Sequence, residues 1–141
     1  MIDAAALEFV ERHRRGVLIT LRLDGRPQAS NIAYGVADGA IRISVTADRA
    51  KTRNLARDRR ASLHVASQDF WQWVVIDGNA ELSGVSSTPA DEVGRELAEL
   101  YEQVRGEPHP DWDDFYRAMV AEQRLVIRLL PEHAYGQPSL Q

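Results

Sequence analysis

Residues 17–46 read VLITLRLDGRPQASNIAYGVADGAIRISVT. Val17 to Leu23 is apolar and β-branched, Asp24-Gly25 is a hairpin signal, and Arg26 to Val36 supplies the returning strand. Asp38-Gly39 repeats the turn. Ala40 to Thr46 follows, with Ile41, Ile43 and Val45 on one face and Arg42, Ser44 and Thr46 on the other. Alternation of this kind marks strands with one buried face, so the stretch predicts a three-strand antiparallel meander.

Outward from it, Asp3 to Arg14 places Ala6, Leu7, Val10 and Phe9 at helical spacing, and Gly16 supplies a stop. Downstream, Arg49 to Arg60 predicts a basic helix. Ala61 to Ser67 and Trp71 to Ser83 read as two further strands. Thr88-Pro89-Ala90-Asp91 carries a cap, a first-position proline and an acid, opening a helix that runs to about Val104 and ends at Gly106. Asp111 to Ala121 predicts another helix, and Leu125 to Leu130, bounded by Pro131, a last strand. This order is neither βαβ repetition nor a helical bundle. It predicts an α+β fold, mainly β: a six-stranded antiparallel barrel decorated by helices, in a single domain spanning residues 1–141.

With 141 residues, 44% of them apolar, the chain can bury a core without staples. The absence of cysteine excludes disulfides, thiolate metal sites and a cysteine nucleophile. No secretory leader is read at the N-terminus and no run approaches the ~20 apolar residues of a membrane span, so a cytoplasmic protein without a membrane partner is expected. Net charge is −4, yet Asp48 to Arg60 holds six cations and two acids, a local +4. A basic island on an acidic chain addresses a small anion rather than a nucleic acid, which needs a spread of cations.

The chain lacks the Gly-x-Ser-x-Gly elbow, the His-Glu-x-x-His helix and the glycine-rich phosphate loops. His13, His64, His109 and His133 show no metal-ligand spacing, and no metal is expected; His64, inside a strand, reads as a packing residue. No catalytic acid or base can be named. Binding residues can. Arg49, Lys51 and Thr52 combine a donor fork, a point charge and a hydroxyl, suited to a phosphate ester; Arg53, Asn54 and Arg57 continue the group. A solvated helix face is the alternative for the same residues. Gln28, Ser30 and Asn31 either decorate a hairpin or meet the polar edge of a flat heterocycle. Trp71 and Trp73, alternating along one strand, either pack in the core, cover a planar ligand or close a subunit contact.

Together these segments resemble the split-barrel flavoproteins related to pyridoxamine 5′-phosphate oxidase, and more closely the actinobacterial branch that uses the deazaflavin coenzyme F420. The resemblance is carried by Gly16-Val17-Leu18, Asp24-Gly25-Arg26-Pro27-Gln28 with Ser30-Asn31, and Arg49-Ala50-Lys51-Thr52-Arg53-Asn54-Leu55. Further on it includes Asp58, Ala61-Ser62, Gly78, Ala80-Glu81-Leu82, Asp111-Trp112-Asp113-Asp114 and His133-Ala134-Tyr135-Gly136. It implies a homodimer with the cofactor between two split barrels. Arg49, Lys51 and Thr52 would hold its phosphate with Asn54 beside them, Gln28, Ser30 and Asn31 would lie near the ring, and Trp71 or Trp73 of the second subunit would help enclose it. The cofactor performs the hydride chemistry on a small-molecule substrate such as an enone, a quinone or biliverdin.

The surplus cations Arg53, Arg57, Arg59 and Arg60, with Arg42, favour F420 and its anionic tail over flavin mononucleotide (FMN). The tail beyond Leu130 lacks the arginine and histidine arrangement that grips pyridoxal phosphate in the true oxidase, which disfavours vitamin B6 oxidation. Alternatives are an FMN-dependent oxidoreductase of the same fold and a non-catalytic carrier of F420, flavin or haem.

Overall fold

The computed structural model describes residues 2–139. In chain order the elements are α1 (Ala4–Glu11), β1 (Arg15–Leu21), β2 (Pro27–Ala33), β3 (Gly35–Ala37), β4 (Ala40–Thr46), α2 (Ala50–Arg57), β5 (Arg60–Ala66), β6 (Trp73–Leu82), α3 (Glu92–Arg105), α4 (Trp112–Ala121) and β7 (Arg124–Gln137). One antiparallel sheet holds the strands in the order β2-β1-β5-β6-β7-β4-β3.

The expected six strands are therefore seven, and the meander is interrupted. β1 and β2 form the expected hairpin, with Leu18 opposite Ser30 and Thr20 opposite Gln28. The returning segment then breaks at Tyr34, and its remainder, β3, pairs with β4 instead. β2 and β3 occupy opposite edges of the sheet although a single residue separates them in the chain. Consecutive Cα atoms are about 3.8 Å apart, so the sheet must curl until its two edges meet at Tyr34. Tyr34 is fully buried; its backbone N–H donates to Arg14 O at 2.9 Å and its hydroxyl to Val10 O at 2.7 Å, tying α1 to this closure. Burial pushes its phenol well above the ordinary range.

Inside the curl the alternating positions converge as expected. Leu18, Ile41, Ile43, Val45, Leu63 and Ile127 pack with Phe9 and Val10 of α1 and Leu55 of α2. A smaller cluster forms on the outer face, where Leu97 and Ala98 of α3, Phe115 of α4 and Val126 of β7 meet. This second layer creates one wall of the site described below.

Other expectations shift for local reasons. Gly16 does not stop α1; it lies in β1, where a Cβ would stand 2.8 Å from His64 O and 3.0 Å from Leu63 Cδ1. Asp91, not Thr88, caps α3: its side chain accepts from the backbone N–H of Gly94, Ser87 and Thr88 and from the Ser86 hydroxyl. The helix ends at Gly106, in the left-handed region at φ 77°, as the sequence predicts. Pro131 does not end the last strand. β7 continues to Gln137 because the register against β6 shifts at Asp77/Gly78, and proline is tolerated at such an irregularity. Trp71 precedes β6 rather than lying on it, so the two tryptophans do not alternate along one strand. No helix among the described residues is long and apolar enough to cross a membrane.

Candidate functional site: a cationic groove between the sheet and the outer helices

A groove of about 540 Å³ runs between the β2 edge and the α3–α4 layer. Its floor is apolar, with Ile43, Leu97, Leu100, Phe115 and Met119 among its residues. Asn31, Ser44, Lys51 and Arg124 line it, as do Tyr101, Arg105 and His109.

The cationic end is assembled by strand pairing. β4 delivers the chain to α2, and Thr46, its last residue, lies opposite Arg124 at the start of β7. This register brings Arg124 beside Ser44, whose hydroxyl is 3.4 Å from its guanidinium, and its charge reaches Lys51. α2 begins at Ala50 with Arg49 in the cap position and no side-chain cap. The first-turn N–H groups of such a helix face outward unsatisfied, and the positive end of the helix dipole adds to Arg49 and Lys51. Neither side chain forms an ion pair among the described residues. Burial, followed by the like charges of Arg49 and Arg124, holds the Lys51 ammonium below its ordinary pKa. An anion here would relieve Arg49 and Lys51, whereas Arg124 already pairs with Glu122 at 2.9 Å. The donor set fits a phosphate group.

The other sequence-selected residues occupy different places. The Thr52 hydroxyl is buried and donates to Thr46 O at 2.9 Å, bracing the β4–α2 corner. Asn54 is the centre of a polar brace. Its Nδ2 donates to Thr20 Oγ1 at 3.1 Å and Gln28 Oε1 at 2.6 Å, while its Oδ1 accepts from Arg57 at 3.0 Å. Gln28 and Ser30 share the half-buried face of β2, and Asn31 points to the opposite, exposed face. Ser30 and Asn31 thus present their side chains on opposite faces of β2. Trp73 lies 6.1 Å from the His64 ring, and with Trp71, Phe70 and Gln137 they line a separate depression of about 480 Å³. Phe70 and Trp71 are 72% and 71% exposed.

The cation surplus shrinks on inspection. Arg57 also donates to Leu21 O, Arg59 to Ala80 O, and Arg60 pairs with Asp58 at 2.8 Å. Arg42 pairs with Glu96 of α3 at 3.2 Å and with Glu99 at 3.5 Å. Arg49, Lys51 and Arg53 make no ion pair within 4 Å among the described residues, although the Asp48 carboxylate acts on Arg49 and Arg53 at longer range. Arg124, Tyr101 and Arg105 escaped the sequence reading, and His109 entered it only as a metal ligand to be excluded. Only the β4–β7 register could have exposed Arg124, and only helix packing the others. Among the described residues no group of three His, Asp or Glu side chains gathers as a metal site.

A family model described as pyridoxamine 5′-phosphate oxidase matches residues 2–137. The chain belongs to this family. Solved structures share the family's fold with it. A conserved hypothetical protein, Rv2991 from Mycobacterium tuberculosis, is 24% identical over 97% of this chain and 84% of that one, with a TM-score of 0.76. A protein described as an F420 reductase is 23% identical over 91% and 94%, with a TM-score of 0.66. A haem-binding protein from Mycobacterium smegmatis is 25% identical over 97% of this chain and 55% of its own, with a TM-score of 0.67. The solved structures that share this fold thus carry both redox and haem-binding descriptions.

Proposed function

We propose that the protein is a coenzyme F420-dependent oxidoreductase acting on a conjugated small molecule such as an enone, a quinone or a tetrapyrrole. The observation that carries this reading is the uncapped start of α2, flanked by the unpaired Arg49 and Lys51, at one end of an apolar groove. Family membership and the fold shared with an F420 reductase support it.

Arg49, Lys51 and the first N–H groups of α2 would hold the phosphodiester, with Arg124 completing the positive field. Arg53, exposed one helical step on, remains available for an anionic tail. Asn31 and the apolar floor would border the ring system. When bound, the deazaflavin supplies the hydride. The protein's part is placement and exclusion of water. We further propose a homodimer in which Phe70 and Trp71 meet the second copy, since two large aromatic side chains this exposed suit a subunit contact.

Titration of the purified protein with F420 and with FMN, followed by fluorescence, tests the reading. F420 should bind, and Lys51→Ala should weaken it several-fold to a hundredfold, about 1–3 kcal/mol for a charge-assisted contact. Tight binding of FMN with none of F420 would overturn it in favour of a flavin enzyme. Cofactor affinity indifferent to both Arg49→Ala and Lys51→Ala would mean that the phosphate lies elsewhere.

A further inference from the structure

The opposite end of the groove holds a second set of free donors. The carboxylates along the groove are already paired, Glu122 with Arg124 at 2.9 Å and Asp114 with Arg117 at 3.8 Å. Arg105 is not. It closes α3, with its guanidinium 5.6 Å from the centre of the Tyr101 ring, and makes no ion pair among the described residues.

His109 lines the same groove, sharing Tyr101 as a neighbour with Arg105, and sits in an aromatic frame. Its ring lies 5.1 Å from Tyr101, 5.4 Å from Phe115 and 5.8 Å from Trp112. The backbone N–H of Asp111 is 3.0 Å from His109 Nδ1. An amide can only donate, so Nδ1 holds the lone pair and the neutral ring carries its proton on Nε2. That Nε2–H has no partner among the described residues. The same tautomer is unsuited to a haem iron, which would need the Nε2 lone pair. A guanidinium and a fixed ring N–H at the end of an apolar trough form a donor pair matched to a carboxylate.

We propose that Arg105 and His109 are specificity residues that recognise the carboxylate of a planar conjugated substrate. The preferred hydride acceptors are then conjugated acids rather than neutral enones. The substrate role rests on the cofactor reading above, whereas the carboxylate subsite is a property of the apoprotein and can be measured without cofactor.

trans-Cinnamate, its methyl ester and cinnamyl alcohol share one flat frame and differ in the anionic group, so calorimetric titration of each reads the subsite directly. The acid should bind roughly tenfold more tightly than the ester, as expected for a charged hydrogen bond. Arg105→Ala and His109→Phe should each remove that preference while leaving F420 affinity within about twofold, which the loss of a remote donor permits. Arg105 is exposed, so its removal does not endanger the fold. Nitrogen-15 NMR should show His109 with its proton on Nε2 and a shift of that signal when cinnamate is added. Equal affinity for acid and ester, or a preference that survives both substitutions, would overturn the proposal. Failure of F420 to bind while the acid preference persists would refute the cofactor reading and support the subsite.

Discussion

Replacing Asn54 with alanine separates the scaffold of this protein from its anion site. The side chain makes three hydrogen bonds, to Thr20, Gln28 and Arg57, and joins α2 to the β1–β2 hairpin. Their losses differ in cost. Gln28 is half-buried and can turn to water, and Arg57 keeps its bond to Leu21 O. Thr20 is 1% exposed and would be stranded. A stranded buried hydroxyl costs about 1–3 kcal/mol, and the two rehydrated bonds together add about 1 kcal/mol. The sum is about 2–4 kcal/mol, or roughly 7–14 °C of melting temperature for a chain of this size.

Lys51→Ala should behave in the opposite way. Its ammonium is disfavoured by burial and by Arg49 and Arg124, so its removal relieves repulsion, leaving the melting temperature unchanged or slightly raised. Because the folded pKa lies below that of the unfolded chain, the unfolded state binds the proton more tightly. Wild-type stability should therefore climb as pH rises through the folded pKa toward 10.5, and the variant should lose that climb. Circular-dichroism melts at pH 7, with and without inorganic phosphate, measure both arms. Phosphate should stabilise the wild type and Asn54→Ala alike, and Lys51→Ala much less. An Asn54→Ala melt that coincides with wild type would refute the brace. A Lys51→Ala melt as low as that expected for Asn54→Ala would refute the claim that its charge is uncompensated.

Three further outcomes follow from the fold. Glu96→Ala should cost about 3 kcal/mol in urea unfolding, because Glu96 pairs with both Arg42 and Arg128 and its loss leaves the buried Arg42 with little but exposed Glu99. Asp91→Ala should cost about 1–2 kcal/mol through the lost cap. Burial opposes ionisation of Asp91, but four hydrogen bonds outweigh it and hold the pKa at about 2. Its contribution is therefore complete above the ordinary carboxylate pKa and fades as pH falls toward 2, so acid titration should show a gap between wild type and variant that narrows in that window. Gly78→Ala should fail to give a cooperative melt, since the new Cβ would run into Leu130 O across the β6–β7 irregularity; a normal melt would show that the register can slide there.

Much of this could be read from residues in order. Ile41, Ile43 and Val45 alternate because β4 has one face in the core, and that face is buried. The start of α2 at Ala50, the turn at Gly106 and the acids opening α4 follow from local backbone preferences. Such features depend on neighbours within a few residues, which the chain itself specifies. The break at Tyr34, the run of β7 through Pro131 and the place of Gly16 inside β1 depend instead on which strand lies alongside. Backbone groups have no sequence signature for their partners.

The site divides in the same way. The cations of α2 are legible as a basic island because charge is a property of residue type. Which of them are free is not legible: Arg57, Arg59, Arg60 and Arg42 are engaged by groups up to 54 positions away, whereas Arg49 and Lys51 make no ion pair within 4 Å among the described residues. Arg124 joins them only through pairing of β4 with β7, and His109, whose tautomer is set locally by the Asp111 N–H, gains its aromatic frame only when α3 and α4 pack together. Local chemistry is written along the chain, while the pairing that spends or spares each donor is settled by closing the sheet and laying two helices on its outer face.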